Sequence, residues 1–105
     1  EHENCPCMET CPLNRAMALI GGKWKMQILC SLYNNGPTRY NQLKKTLDGV
    51  SNTVLANALR ELEGDGLVHR QEYLEVPVRV EYAITEPCRQ LIPILDALGD
   101  WSMAL

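Results

Sequence analysis

At Gly66 the hydrophobic rhythm of the chain changes. Before it, Val54, Leu55, Ala58, Leu59 and Leu62 recur at helical spacing and form one apolar stripe, with Ser51 placed to cap the helix. After it, Val68, Arg70 and Glu72 alternate with Leu67, His69, Gln71 and Tyr73, and Val78, Val80, Tyr82 and Ile84 alternate with Arg79, Glu81 and Ala83. A helix ended by Gly66 and followed at once by two strands leaves few folds open. Pro77 lies between the strand runs, where the tip of a two-stranded hairpin tolerates its missing N–H.

Upstream, residues 1 to 11 are polar, cysteine-rich and aperiodic, and read as an extended arm. Pro12 suits a first helical turn, with Leu13, Ala16, Met17 and Ile20 on one face before Gly21-Gly22 interrupts. A second helix from Trp24 to Tyr33 carries Ile28, Leu29 and Leu32 inward, together with Cys30 as a core filler, and stops at Asn34-Asn35-Gly36-Pro37. A short third helix from about Arg39 to Leu47 turns Tyr40, Leu43 and Leu47 inward and Lys44 and Lys45 outward. Downstream of the strands, Thr85 caps a last helix holding Leu91, Ile92, Leu95, Leu98, Trp101 and Met103, in which Pro93 imposes a kink or a late start. Helix, helix, short helix, turn, polar-faced helix and hairpin, in that order, is a winged helix-turn-helix. The fold class is therefore mainly α with a β-hairpin wing, as an arm over residues 1–11 and one domain over 12–105.

At 105 residues and 46% hydrophobic content, the chain suits one core burying roughly 60–70% of its unfolded surface. Apolar runs long enough to span a bilayer and a signal-peptide core are both missing, so a soluble cytoplasmic protein without membrane partners is expected. The net charge of −3 hides a strong asymmetry. Residues 12 to 60 hold seven basic side chains against Asp48 alone, whereas residues 61 to 105 hold three against nine acids. A positive middle between acidic ends fits a DNA-facing surface with a solvated back.

Ser51 and the outer face of the helix it begins, with Asn52, Thr53, Ala56, Asn57 and Arg60, are the candidate DNA contacts, side chains of the size and polarity that read base edges. Arg39, Lys44 and Lys45 are placed for phosphate contact, and Arg79 beside the wing tip for the minor groove or phosphate, unless it spends its charge on an ion pair with Glu72. Five cysteines in such a chain point to redox or metal chemistry before structural disulfides. Cys11 stands just ahead of a helix, where the N-terminal dipole favours a thiolate, and Cys5 and Cys7 are candidate resolving thiols. His2, Cys5, Cys7 and Cys11 also supply four soft ligands within ten residues, although their spacing is not that of a standard zinc knuckle. No nucleophile, base and oxyanion donors come together; His69 reads as an exposed strand residue and Asp96 with Asp100 as a solvated helix edge, so neither catalysis nor a cofactor is expected.

Several runs resemble the HxlR-type bacterial transcription regulators, a MarR-like family. They are Cys11-Pro12, Leu19-Ile20-Gly21-Gly22-Lys23-Trp24, Gly36-Pro37, Tyr40-Asn41-Gln42-Leu43, Leu59-Arg60-Glu61-Leu62-Glu63, Asp65-Gly66-Leu67-Val68 and Val76-Pro77-Val78-Arg79-Val80-Glu81-Tyr82. The resemblance implies a homodimer built from the terminal helices on a pseudo-palindromic operator of double-stranded DNA, and thiol sensing of oxidants or electrophiles at the Cys of the Cys-Pro pair in some members. Leu95, Leu98 and Trp101, with Leu13 and Met17 beside them, are the expected dimer face, since the last helix holds more apolar residues than a small domain needs. The chain departs from the family at Ala58, where a basic residue is common, at Val78, where Pro is common, and in the run Thr85-Glu86-Pro87-Cys88. The competing reading is a winged-helix protein-interaction module, or a metal-responsive regulator using the N-terminal cysteines. Neither a small-molecule inducer nor the sign of regulation follows from the sequence.

Overall fold

The computed structural model describes residues 11–105. Among these residues six helices and three short strands follow one another as α1 (Pro12–Ile20), α2 (Lys25–Asn35), β1 (Thr38–Arg39), α3 (Tyr40–Thr46), α4 (Asn52–Gly64), β2 (Val68–Tyr73), β3 (Arg79–Ile84), α5 (Glu86–Arg89) and α6 (Ile92–Met103). The strands form one antiparallel sheet in the order β1-β3-β2. Element order and strand alternation are those of a winged helix-turn-helix.

The core lies where α2, α3 and α4 meet the inner ends of β2 and β3. Ile28, Leu29, Leu32, Leu43, Leu55, Leu59 and Leu62 are all but inaccessible to solvent and pack with Val68, Ile84 and Cys88. Each such aliphatic side chain gains about 1.5–3 kcal/mol from leaving water. Val68 stands opposite Ile84 across the β2–β3 ladder, so the root of the wing closes the core. Thr85 secures that corner: its hydroxyl donates to the Gly66 carbonyl at 2.7 Å and accepts from the Cys88 N–H.

Several expectations change on contact with tertiary structure. Arg39 does not begin the third helix but pairs in β1 with Glu81, and Thr38 pairs with Tyr82, so the hairpin gains a third strand. Two extended residues ahead of a helix have no readable period, and only the open edge of β3 reveals them. The last helix divides: Pro87 sits in the first turn of α5, Pro93 in the first turn of α6, and the chain restarts between them. α4 ends at Gly64, and Gly66 instead supplies the turn into β2 at φ +82°, a left-handed conformation that suits glycine. Val54 lies at the edge of the apolar stripe and is 41% exposed, while Cys30 faces outward from α2 and Cys88 takes the buried place.

α1 and α6 stand apart from this body. α1 buries only Ile20 and α6 only Ile92, although Leu13, Met17, Ile94, Leu98, Trp101 and Met103 lie along them. None of the described helices is long and apolar enough to cross a membrane.

Candidate nucleic-acid interface

α4 begins as its sequence demands. Ser51 is extended and its hydroxyl accepts from the Val54 N–H at 3.1 Å, which satisfies one of the orphan donors of the first turn. With Leu55, Ala58, Leu59 and Leu62 fixed in the core, the helical advance of about 100° per residue turns Asn52, Thr53, Asn57 and Arg60 outward, with Ala56 half-buried at the margin. Ala58, where the chain departs from the family pattern, is buried and borders one flank of this face.

Hydrogen bonds from Arg60 and Tyr40 order the face. Arg60 donates from Nη1 to Asn57 Oδ1 at 2.7 Å, and the Tyr40 hydroxyl lies 3.2 Å from both the carbonyl oxygen and Oδ1 of Asn52. Tyr40 was expected inside; its ring leans on the core while its hydroxyl reaches the start of α4, tying α3 to the reading helix.

Arg39 and Lys45 line an open cleft of ≈ 530 Å³ between α3 and the wing, together with Tyr40, Asn41, Gln42, Val78, Arg79 and Val80. Lys44 is half-buried on the other flank of α3. Arg79 is committed inside the wing: it pairs with Glu75 at 2.9 Å and Glu81 at 3.0 Å, and its guanidinium stacks 3.8 Å above the Tyr73 ring. The expected partner Glu72 bonds Arg70 instead, because residues two apart on a strand share a face. Around Arg79 the tip is apolar and exposed, with Leu74, Val76 and Val78.

Two basic residues flanking α4 escaped the sequence reading. Lys23 and Arg70 each line a cleft along one side of the helix: the first with Gly21, Gly22, Trp24, Lys25, Val54, Asn57, Ala58 and Glu61, the second with Tyr40, Ala56, Leu59, Arg60, Glu63 and Tyr82. The Gly-Gly-Lys-Trp run that carries family resemblance was the available signal for Lys23. The turn needs both glycines: a Cβ on Gly21 would overlap the Met17 carbonyl oxygen, and Gly22 holds φ +101°. Lys25, next along, is neutralised by Glu61 at 2.7 Å, and this contact holds the Glu61 carboxyl below its ordinary range. The Tyr82 side chain opposite Arg70, and then Glu72, hold that guanidinium above its ordinary value.

Cys11 is the N-cap of α1, as expected, but only 3% exposed. Its candidate partners Cys5 and Cys7, like His2 of the weaker metal alternative, lie outside the described residues. Cys30 is exposed in an apolar groove between α2 and α6, lined by Met26, Leu95, Leu98, Gly99, Trp101 and Ser102. Burial, and then the nearness of Cys30, push the Cys88 thiol up, opposed by Arg89. Of the expected dimer face, Leu13, Met17, Leu98 and Trp101 are exposed, whereas Leu95 is half-buried against the core. His69, Asp96 and Asp100 are exposed, as the sequence implied.

Residues 19–105 match the model of the HxlR-like helix-turn-helix family. An uncharacterised HTH-type transcriptional regulator of Halalkalibacterium halodurans, BH0655, is 42% identical over 92 residues, spanning 88% of this chain and 81% of that protein. Among solved structures, the oxidised form of the redox regulator HypR superposes with a TM-score of 0.81 at 37% identity, covering 90% of this chain and 97% of that one. The reduced form of the transcriptional regulator YodB from Bacillus subtilis gives 0.81 at 33% identity, over 88% and 90% of the two chains.

Proposed function

We propose, on the premise that this chain belongs to the HxlR-like helix-turn-helix family and is a DNA-binding transcriptional regulator and not an enzyme, that it grips a pseudo-palindromic operator as a homodimer. The observation that carries the reading is the outer face of α4. Asn52, Thr53, Asn57 and Arg60 project from a helix whose opposite side is locked into the core, with Arg39 of β1 and Lys45 of α3 beside it. Such a helix enters a major groove with its N-terminal residues toward base edges, while the flanking cations meet phosphate.

The dimer rests on α1 and α6. A helix that is apolar around much of its surface and buries one residue needs another surface to cover it, and a second copy offers the same face with two-fold symmetry. That symmetry places the two α4 helices about 34–36 Å apart, one turn of duplex.

Cys11 is the proposed redox input. It starts α1, one of the two helices assigned to the dimer, so chemistry at its sulfur acts on the element that sets the spacing of the reading helices. Hydrogen peroxide oxidises the thiolate to a sulfenic acid, its O–O bond breaking to release hydroxide that takes up a proton as water; condensation with a second thiol, from Cys5, Cys7 or the partner chain, then forms a disulfide and releases water. Cys11 is 3% exposed, so an oxidant reaches it only through a local opening, and the similarity to the redox regulator HypR supports the assignment. No inducer is assigned.

The test is selection of bound fragments from genomic DNA, followed by footprinting with wild-type protein and Asn57→Ala/Arg60→Ala. Protection of an inverted repeat by wild type and its loss in the variant are expected. Equal protection by both removes the role given to α4.

A further inference from the structure

We infer that Lys23 and Arg70 form a pair of phosphate contacts that bracket the reading helix, each meeting the backbone on one wall of the major groove that α4 enters. The inference rests on the placement of α4 in that groove and deepens it by naming the two edges.

The geometry begins with the helical wheel of α4. Taking Thr53 as the centre of the outer face, Asn57 lies about 40° to one side and Arg60 about 20° to the other. Going further toward the first side brings Glu61 and then Val54, which border the cleft formed by the Gly21–Lys25 turn. Going the other way brings Ala56 and then Glu63, which border the cleft formed by Tyr40, Arg70 and Tyr82. The two clefts therefore lie on opposite flanks of one outward face, and each carries a basic side chain from a different element.

A major groove is about 12 Å wide, close to the diameter of a helix with its side chains, so phosphates of both strands lie beside any helix seated in it. Cations on both flanks match that arrangement. Cations on one flank alone would leave a wall of the groove unmet.

Local charge decides which residues are available. On the first flank, Lys25 and Glu61 neutralise each other at 2.7 Å, which removes the acid that would otherwise repel phosphate and leaves Lys23 as the unspent cation, resting 4.8 Å above the Trp24 ring. On the second flank, Arg70 touches Glu72 at 3.2 Å, with both side chains substantially exposed. A surface pair of that kind contributes little and exchanges readily for a phosphate oxygen. Tyr82 stands directly opposite Arg70 on β3, and Tyr40 lines the same cleft. Glu63 is the one acid left in this cleft, about two turns beyond Ala56 and toward the end of α4 that leaves the groove. Arg79, the residue a wing is expected to offer, is held by Glu75 and Glu81, so the root of the wing replaces its tip as the phosphate contact.

The experiment uses the intact chain and a fluorescein-labelled duplex of mixed sequence a few helical turns long, titrated at several salt concentrations. Compared are wild type, Lys23→Ala, Arg70→Ala, the double variant, the conservative Lys23→Arg and Arg70→Lys, and Arg89→Ala. Arg89 lies on α5, outside both clefts, and controls for loss of one positive charge. Each alanine variant in the bracket is expected to reduce the slope of log affinity against log salt by about one, and the double variant by about two. The conservative variants and Arg89→Ala are expected to keep the wild-type slope. Unchanged slopes for Lys23→Ala and Arg70→Ala, in proteins whose thermal unfolding matches wild type, overturn the bracket while leaving α4 as the reader. An equal drop for Arg89→Ala also overturns it, by making the effect one of net charge. Wild type with no salt-dependent affinity at all would sink both the bracket and the operator reading on which it stands.

Discussion

Arg60 and Asn57 are joined side chain to side chain on the outer face of α4, the guanidinium donating at 2.7 Å to the amide oxygen one turn earlier. A two-pronged contact to adenine uses both the oxygen and the nitrogen of an asparagine amide, and here the oxygen is already engaged. Asn57 therefore orients Arg60, whose remaining donors suit the O6 and N7 acceptors of guanine. Arg60→Ala is expected to cost about 1–3 kcal/mol on the operator. Asn57→Ala and Arg60→Ala should couple by about 0.5–3 kcal/mol in a double-mutant cycle read by equilibrium footprinting. Strict additivity would show that the two residues act separately.

Leu59 and Val54 lie on the same helix with opposite fates, one buried and the other at the margin of a cleft. Leu59→Ala should lose about 2–5 kcal/mol of unfolding free energy. Val54→Ala should lose less than about 1 kcal/mol. Urea unfolding of both variants measures the contrast, and equal losses would contradict the burial pattern.

The Lys25–Glu61 contact makes stability depend on pH in a defined direction. Its carboxyl is held lower in the folded chain than in the unfolded one, so its contribution is fully present above the ordinary carboxylate range and is lost as pH falls through the lowered folded value. The difference in urea midpoint between wild type and Glu61→Gln should be largest near neutrality and shrink in acid. A difference that grows as the pH drops would assign the effect to another group.

Leu98 and Trp101 are 48% and 61% exposed on a helix that buries little else. Leu98→Asp and Trp101→Ala should shift the chain from dimer to monomer in sedimentation at micromolar concentration, with little change in the circular dichroism of the domain. Sedimentation of the wild type as a stable monomer would refute the assigned dimer.

The thiols should react in an order set by exposure and charge. Cys30 is exposed in the groove lined by Leu98 and Trp101, whereas Cys88 is buried with its thiol pushed up, so timed alkylation and mass spectrometry should find Cys30 modified in the Leu98→Asp variant and Cys88 only after denaturant. Operator binding by wild type should respond to diamide and recover with reductant, and binding by Cys11→Ser should not respond. An equal response in both would move sensing away from Cys11.

The sequence by itself determined the elements whose signals are local. The apolar spacing of Leu55, Ala58, Leu59 and Leu62 and the cap at Ser51 define α4, and alternation from Val68 to Ile84 defines the wing, because side-chain period and capping are properties of a few consecutive residues. It also made the outer face of α4 legible, since fixing one side of a helix fixes the other. Tertiary structure alone decided what depends on partners distant in the chain: Thr38–Arg39 became a strand because β3 offered an open edge, and Tyr40 reached Asn52 because α3 folds against the start of α4. The same holds for charge. Lys25 and Lys23 look alike as basic letters, but folding brings Glu61 to the first and neutralises it, while the second borders a cleft along the reading helix. Whether a cation is spent or available is set by distances of a few ångströms in space, and a linear sequence does not hold them.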